Sequence, residues 1–301
     1  MFSYYLEYEY WIAAAQLVLA MLGMGATLRV RDFVEVIKSP WPISVGVVVQ
    51  VVAVPVVAAL FLFALELDTG VAIGLAMCAA IPGGTISNVF TFLGRGHVAL
   101  SIGLTGITTL GCLVTTPIVL GLLITQHMPP DFSMPAGAIA REIGLALLLP
   151  LVLGMIFLSI KPAWAPTLSK YCIRTSLGLI LVIAVGATGS GRVDLEKFGL
   201  YNLAVVMAFM LLLATMSWVL PRLLGLVNRD ITAINIEVTA RNASLGVMLA
   251  ASMFPATAVG VESTGANALF TVLIYGGAGI LAGLVLVRIH RYLNRDERVG
   301  D

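Results

Sequence analysis

Ile81-Pro82-Gly83-Gly84-Thr85-Ile86-Ser87-Asn88 stands at the centre of an apolar run that extends from Gly70 to Leu93. Proline removes a backbone donor and paired glycines favour unwinding, so this segment breaks an otherwise smooth helix. A second run, Asp230 to Met253, carries the polar patch Glu237-Val238-Thr239-Ala240-Arg241-Asn242-Ala243-Ser244 at its own centre. The two interrupted runs lie five spans apart, which gives them opposite directions. That is the arrangement of inverted repeats, with a binding site where the broken helices meet.

The rest of the chain makes these runs membrane segments. Of 301 residues, 59% are hydrophobic and 11% charged, against roughly 25% charged in a soluble domain. With a mean hydropathy of +1.02, a water-soluble globule is excluded. A net charge of +1 is too balanced for a nucleic-acid binder. Cys78, Cys112 and Cys172 lie in or near apolar runs without a Cys-x-x-Cys pairing and read as small hydrophobes. Met1 to Tyr10 has Glu7 and Glu9 but no basic residue, so no cleavable leader is expected.

A bilayer core takes roughly 20 helical residues. Nine runs meet that length: Trp11 to Leu28, Trp41 to Leu65, Gly70 to Leu93, Val98 to Thr125, Ala136 to Ile160, Tyr171 to Ser190, Asn202 to Leu226, Asp230 to Met253 and Gly260 to Ile289. The expected fold is an all-α polytopic membrane protein with repeats of four and five spans. Thirteen of the 17 Lys and Arg residues lie after odd-numbered spans: Arg29, Arg31, Lys38, Arg95, Lys161, Lys170, Arg174, Arg222, Arg229, Arg288, Arg291, Arg295 and Arg298. Arg192, Lys197 and Arg141 fall on the other side, with Glu66, Asp68, Asp131 and Glu262. The positive-inside bias therefore puts the C-terminus in the cytoplasm and the N-terminus outside, in a plasma (inner) membrane.

Glu237 and Arg241 are four residues apart and can form a self-neutralising structural pair. Because a carboxylate at membrane depth is costly and faces a cavity, a functional role for Glu237 is favoured. Gly70-x-x-x-Gly74 and Gly279-x-x-x-Gly283 read as close helix contacts. An enzyme is not expected: His97, His127 and His290 fall at loops or tails as solvated residues, and no His-Glu-x-x-His or phosphate loop occurs.

Four segments carry a resemblance: Leu22-Gly23-Met24-Gly25-Ala26-Thr27-Leu28, Pro82 through Asn88, Gly94-Arg95-Gly96-His97-Val98-Ala99-Leu100-Ser101, and Ile236-Glu237-Val238 followed by Asn242. On them the chain resembles the bile acid:sodium symporter family, in the manner of its bacterial homologues. The resemblance implies a secondary transporter in a nine-helix version, with two discontinuous helices crossing in a core domain. That core covers approximately 70–125 plus 202–289 together with 41–65, and the panel domain approximately 11–28 plus 136–190.

Carried over residue by residue, a first sodium site falls on Ser87, Asn88, Ser101, Thr105 and Glu237. A hard cation suits this mixture of carboxylate, amide and hydroxyl oxygens. The second sodium site falls on Gln50, Glu237 and the carbonyls of Val238 and Ala240, but Arg241 stands where the family has glutamine. A guanidinium about 5 Å from a bound cation repels it by roughly 3 kcal/mol at an effective dielectric of 20. Arg241 is therefore expected to serve as a built-in cation. The substrate, an organic anion such as a steroid conjugate or small carboxylate, is expected beside Gly84, Thr85, Asn242 and Ala243. The relatives' polar residues in the last span are matched by Ile274 and Tyr275. The expected activity is sodium-coupled symport by alternating access, with a sodium-independent uniporter or channel-like pathway as the alternative. Sodium, the organic anion and the lipid bilayer are the expected partners, without a cofactor, a nucleic acid or an obligate protein.

Overall fold

The computed structural model describes residues 2–31, 40–84, 86–128, 134–256 and 262–295. Thr85 of the expected substrate site, and Lys38, Asp131 and Arg298 of the charge pattern, lie outside the described residues. Eleven helices follow one another among the described residues: α1 (Phe2–Gly25), α2 (Pro40–Ala64), α3 (Thr69–Ala80), α4 (Ile86–Leu93), α5 (Val98–His127), α6 (Ala136–Ile160), α7 (Ala165–Gly189), α8 (Leu195–Leu223), α9 (Asn228–Thr239), α10 (Ala243–Met253) and α11 (Glu262–Leu293). No strand occurs among the described residues.

Among the described residues, length and apolarity give six membrane-crossing helices, α2, α5, α6, α7, α8 and the apolar part of α11 from Ser263, rather than nine. Two of the expected spans are halved at their breaks, into α3 with α4 and α9 with α10. Helix α1 is long enough to cross, but Glu7, Glu9 and Gln16 dilute its hydropathy. It also starts at Phe2, well before Trp11. The extra turns are anchored by Tyr5, whose ring occupies the space beside Gly186 of α7, and whose hydroxyl donates to Glu9 at 3.1 Å. Helix α7 likewise starts at Ala165, with a proline in its first turn, where the missing N–H costs nothing.

Helix α1 packs most heavily on α7 and α6, while α3 packs on α11 and α5. Close approach needs glycine at two places. A Cβ on Gly154 of α6 would lie 2.7 Å from Ala26 N, and one on Gly74 of α3 would lie 2.5 Å from Thr271 Cβ of α11. Two π-helical turns, Val49–Ala53 in α2 and Ile143–Leu148 in α6, each precede a proline, Pro55 and Pro150. Proline cannot donate to the carbonyl four residues back, and its ring pushes that carbonyl away, so the preceding turn widens. The wider turn in α2 carries Gln50, which is buried.

The three cysteines are buried free thiols. His290 is not a solvated tail residue. It is 1% exposed in the last turn of α11, with Nε2 2.8 Å from Asn235 Oδ1 and Nδ1 3.1 Å from Thr232 Oγ1. Helix α11 runs four residues past Ile289, which draws this histidine against α9. His97 is half-buried and lies 2.6 Å from Asp230.

A buried ion pair closes one end of the bundle. Arg192, in the turn between α7 and α8, lies 2.7 Å from Glu9 of α1, and both side chains are under 5% exposed. Its Nη2 also donates to Phe254 O at the end of α10 (2.7 Å). At the same end of α10, Ser252 Oγ donates to Glu142 of α6 at 2.5 Å. Breaking a buried pair from one side leaves an uncompensated charge. Arg192→Ala is thus expected to cost about 3–5 kcal/mol, read as a lowered Tm in detergent. Arg192→Ala combined with Glu9→Gln should recover much of that loss.

Candidate functional site

The two breaks cross. Gly84 N donates to Ala240 O at 2.8 Å and Asn242 N donates to Pro82 O at 2.9 Å, so Gly83 and Arg241 pair as a one-step antiparallel bridge. Around this crossing the ends of four half-helices converge. Helix α3 ends at Ala80 because Pro82 cannot continue it, and α10 begins under a cap in which Asn242 Oδ1 accepts from Leu245 N at 3.2 Å.

Glu237, fully buried in the last turn of α9, faces away from lipid toward α4 and α5. Ser87 Oγ donates to one of its carboxylate oxygens, and Thr105 Oγ1 donates to the other at 2.5 Å. Ser101 Oγ reaches the oxygen bonded by Ser87 at 3.4 Å. Ser101 and Thr105 also bond Asn88 Oδ1, at 2.8 and 3.4 Å. The structure therefore brings Ser87, Asn88, Ser101, Thr105 and Glu237 into one cluster of oxygen donors. Thr91, completely buried and bonded to Ser101 Oγ at 3.2 Å, extends it. Its signal in the sequence is its place one helical turn after Ser87.

Gly83 is packed against the same carboxylate. A Cβ there would overlap Glu237, so the glycine is needed for the space its missing side chain leaves.

Arg241 lies on the other side of the crossing and makes no contact ion pair with Glu237. The four-residue spacing does not bring them together because α9 stops at Thr239. The guanidinium is instead spent on backbone: Nε donates to Val238 O at 3.2 Å, and Nη1 to Ala79 O at 3.3 Å and to Ile81 O. Its Nη2 has no partner, and neither does either amide atom of buried Gln50. The two residues line a cavity of about 20 Å³ with Pro82 and Thr108. Of the carbonyls expected to bind a second cation, Val238 O is held by Arg241 and Ala240 O by Gly84 N.

Gly84, Asn242 and Ala243 lie together at the crossing. Asn242 is 5% exposed, with Nδ2 3.9 Å from Met21 Sδ of α1. Next to it, Gln16 of α1 donates to Ser176 of α7 at 2.8 Å and to Ser244 of α10 at 2.9 Å, and its Oε1 is left without a partner. Ser244 closes the polar patch of the second interrupted run, whereas Gln16 and Ser176 belong to none of the motifs read from the sequence. A lone glutamine in an apolar run is the signal that could have found Gln16. Tyr275 is buried with an unpartnered hydroxyl.

A model of the sodium bile acid symporter family matches residues 14–197. This chain is 32% identical to the uncharacterized sodium-dependent transporter YocS of Bacillus subtilis over 241 residues, covering 79% of this chain and 74% of that protein. It is 29% identical over 246 residues to the probable sodium/metabolite cotransporter BASS2, chloroplastic, of Oryza sativa subsp. japonica, covering 81% of this chain. It is 27% identical over 200 residues to a sodium-dependent organic anion transporter of Bos taurus, covering 65% of this chain. The aligned part spans 57% of the rice protein and 51% of the bovine one.

The packing at Gly83 yields a stability difference. Gly83→Ala is expected to cost about 1–3 kcal/mol, because neither the carboxylate nor the crossing backbone can yield without loss. Gly277→Ala, where nothing lies within 4 Å of the added atom, should be neutral or slightly stabilising. Thermal unfolding of the two variants side by side makes the comparison.

Proposed function

The chain belongs to the sodium bile acid symporter family, and from that membership we propose that it carries organic anions together with sodium by alternating access. Its family and relatives are transporters, so it is a membrane transporter and not an enzyme. The observation that carries the finer reading is the fully buried Glu237 carboxylate, set among three hydroxyls at the crossing of two broken helices. An unneutralised carboxylate at that depth costs several kcal/mol. Sodium offsets this when the Ser87, Ser101 and Thr105 hydroxyls turn their lone pairs toward the ion and Asn88 Oδ1 adds an amide oxygen.

The substrate anion belongs beside Gly84, Thr85, Asn242 and Ala243, where α4 and α10 begin. Helix N-termini carry unsatisfied N–H groups and partial positive charge, which select an anion. Gln16 and Ser176 border this place from α1 and α7. These helices, with α6, form the panel, and the remaining helices form the core against which it moves. Nine crossings, an outside N-terminus and a cytoplasmic C-terminus complete the topology, supported by the arginines of α9 and α11 gathering at one end.

Arg241 takes the place of a second sodium. Its guanidinium already holds one of the carbonyls a second ion would need, Val238 O, and it adds a repulsion of roughly 3 kcal/mol at about 5 Å. One sodium per anion is the resulting stoichiometry.

Uptake of a panel of labelled organic anions into proteoliposomes, in sodium and in potassium, tests the reading. Sodium is expected to drive saturable accumulation with a Hill coefficient of about one. Glu237→Gln should abolish the sodium dependence, and Arg241→Gln should raise the coefficient. Equal flux in both salts without accumulation identifies a uniporter. A coefficient near two with Arg241 intact removes the built-in cation.

A further inference from the structure

Away from the crossing, a cavity of about 470 Å³ opens where the end of α4, the start of α9 and the end of α11 meet. It is lined by Arg95, Arg229 and Arg291, with Phe92 and Asn294. On the far side of Arg291 a second cavity, of about 540 Å³, is lined by Arg288, Arg295 and Tyr292. Among the described residues none of these five arginines has a carboxylate partner. Among the described residues the acid nearest in sequence to Arg229, Asp230, is engaged with His97 at 2.6 Å. Arg295 stacks over Tyr292, 5.8 Å from its ring centre. Arg95 also ends α4 with φ 60°, a left-handed conformation ordinarily given to glycine, so an arginine is kept there at a conformational cost.

A second observation points to a ligand. Asn294 is 2% exposed and lines the first cavity, and its Nδ2 is fixed by bonds to Gly94 O (3.1 Å) and Thr232 Oγ1 (3.0 Å). Its Oδ1 has no partner and needs a donor. The rim is apolar and exposed: Phe92 and Tyr292 are about 70% accessible, and Leu284 is 52% accessible. A free phosphate would use the arginines and leave this rim bare.

We infer that the two cavities hold the headgroup of an anionic phospholipid of the phosphatidylglycerol kind. Its phosphodiester lies among Arg95, Arg229 and Arg291, a headgroup hydroxyl donates to Asn294 Oδ1, and its acyl chains lie along Phe92 and Leu284. The arginines thus do more than fix orientation during insertion, a role that needs charge but neither a cavity nor a buried acceptor. The site stands whether or not the sodium assignment at Glu237 holds.

Native mass spectrometry of the detergent-solubilised protein with equal phosphatidylglycerol and phosphatidylcholine tests this site. Phosphatidylglycerol should be retained selectively, while glycerol 3-phosphate at the same concentration should not compete. Each of Arg95→Gln, Arg229→Gln and Arg291→Gln should weaken retention about fivefold, and the three together on the order of a hundredfold. Equal retention of the two lipids by the unaltered protein overturns the proposal, independently of how any variant folds. Competition by glycerol 3-phosphate also overturns it, as does full retention by the triple variant.

Discussion

Two backbone hydrogen bonds, Gly84 N to Ala240 O and Asn242 N to Pro82 O, hold the centre of this molecule together. A helix broken inside a bilayer leaves carbonyls and N–H groups that water cannot reach, each costing several kcal/mol if left unpaired. Here each break supplies what the other lacks. At the end of α3, Ala79 O and Ile81 O accept from Arg241, Ala80 O from Thr116 Oγ1, and Pro82 O from Asn242 N. At the end of α9, Val238 O accepts from Arg241 Nε and Ala240 O from Gly84 N. Neither interruption is satisfied alone, which is why they meet.

This accounting explains why the two charges at the crossing ignore one another. The guanidinium of Arg241 sits on the C-terminal carbonyls of α3, the negative end of that helix, and is stabilised there without Glu237. The carboxylate of Glu237 is left facing hydroxyls alone. The break at α3 is thus met by a cationic side chain, whereas the carboxylate beside the other is met by neutral donors.

The interruptions themselves were legible because Pro82, Gly83 and Gly84 carry their backbone consequences as residue types, and Glu237 announces itself by its cost in an apolar run. Several helix boundaries followed from hydropathy; Ala136 to Ile160 agrees at both ends. What hydropathy could not register was pairing across the bundle. The start of α1 depends on Tyr5 meeting Gly186 and Glu9 meeting Arg192, contacts more than 170 residues apart in sequence. His290 read as solvated for the same reason, since its partners Thr232 and Asn235 lie on another helix. The helical spacing of Glu237 and Arg241 misled because spacing assumes an unbroken helix, and α9 ends between them.

The charge balance at the crossing also suggests how ion and anion are coupled in the proposed reading. Glu237 and Arg241 together are neutral, so without sodium the half-helix N-termini offer an anion only their partial charges. A sodium ion at Glu237 makes the crossing net positive, and a monoanion beside Asn242 restores neutrality. The two hydrogen bonds that join the breaks keep both places in one rigid unit, so neither ligand can settle without reinforcing the other. A second sodium would leave an uncompensated positive charge at low dielectric. In that reading the guanidinium of Arg241 removes the electrostatic reason for it and holds Val238 O, one of the carbonyls it would need.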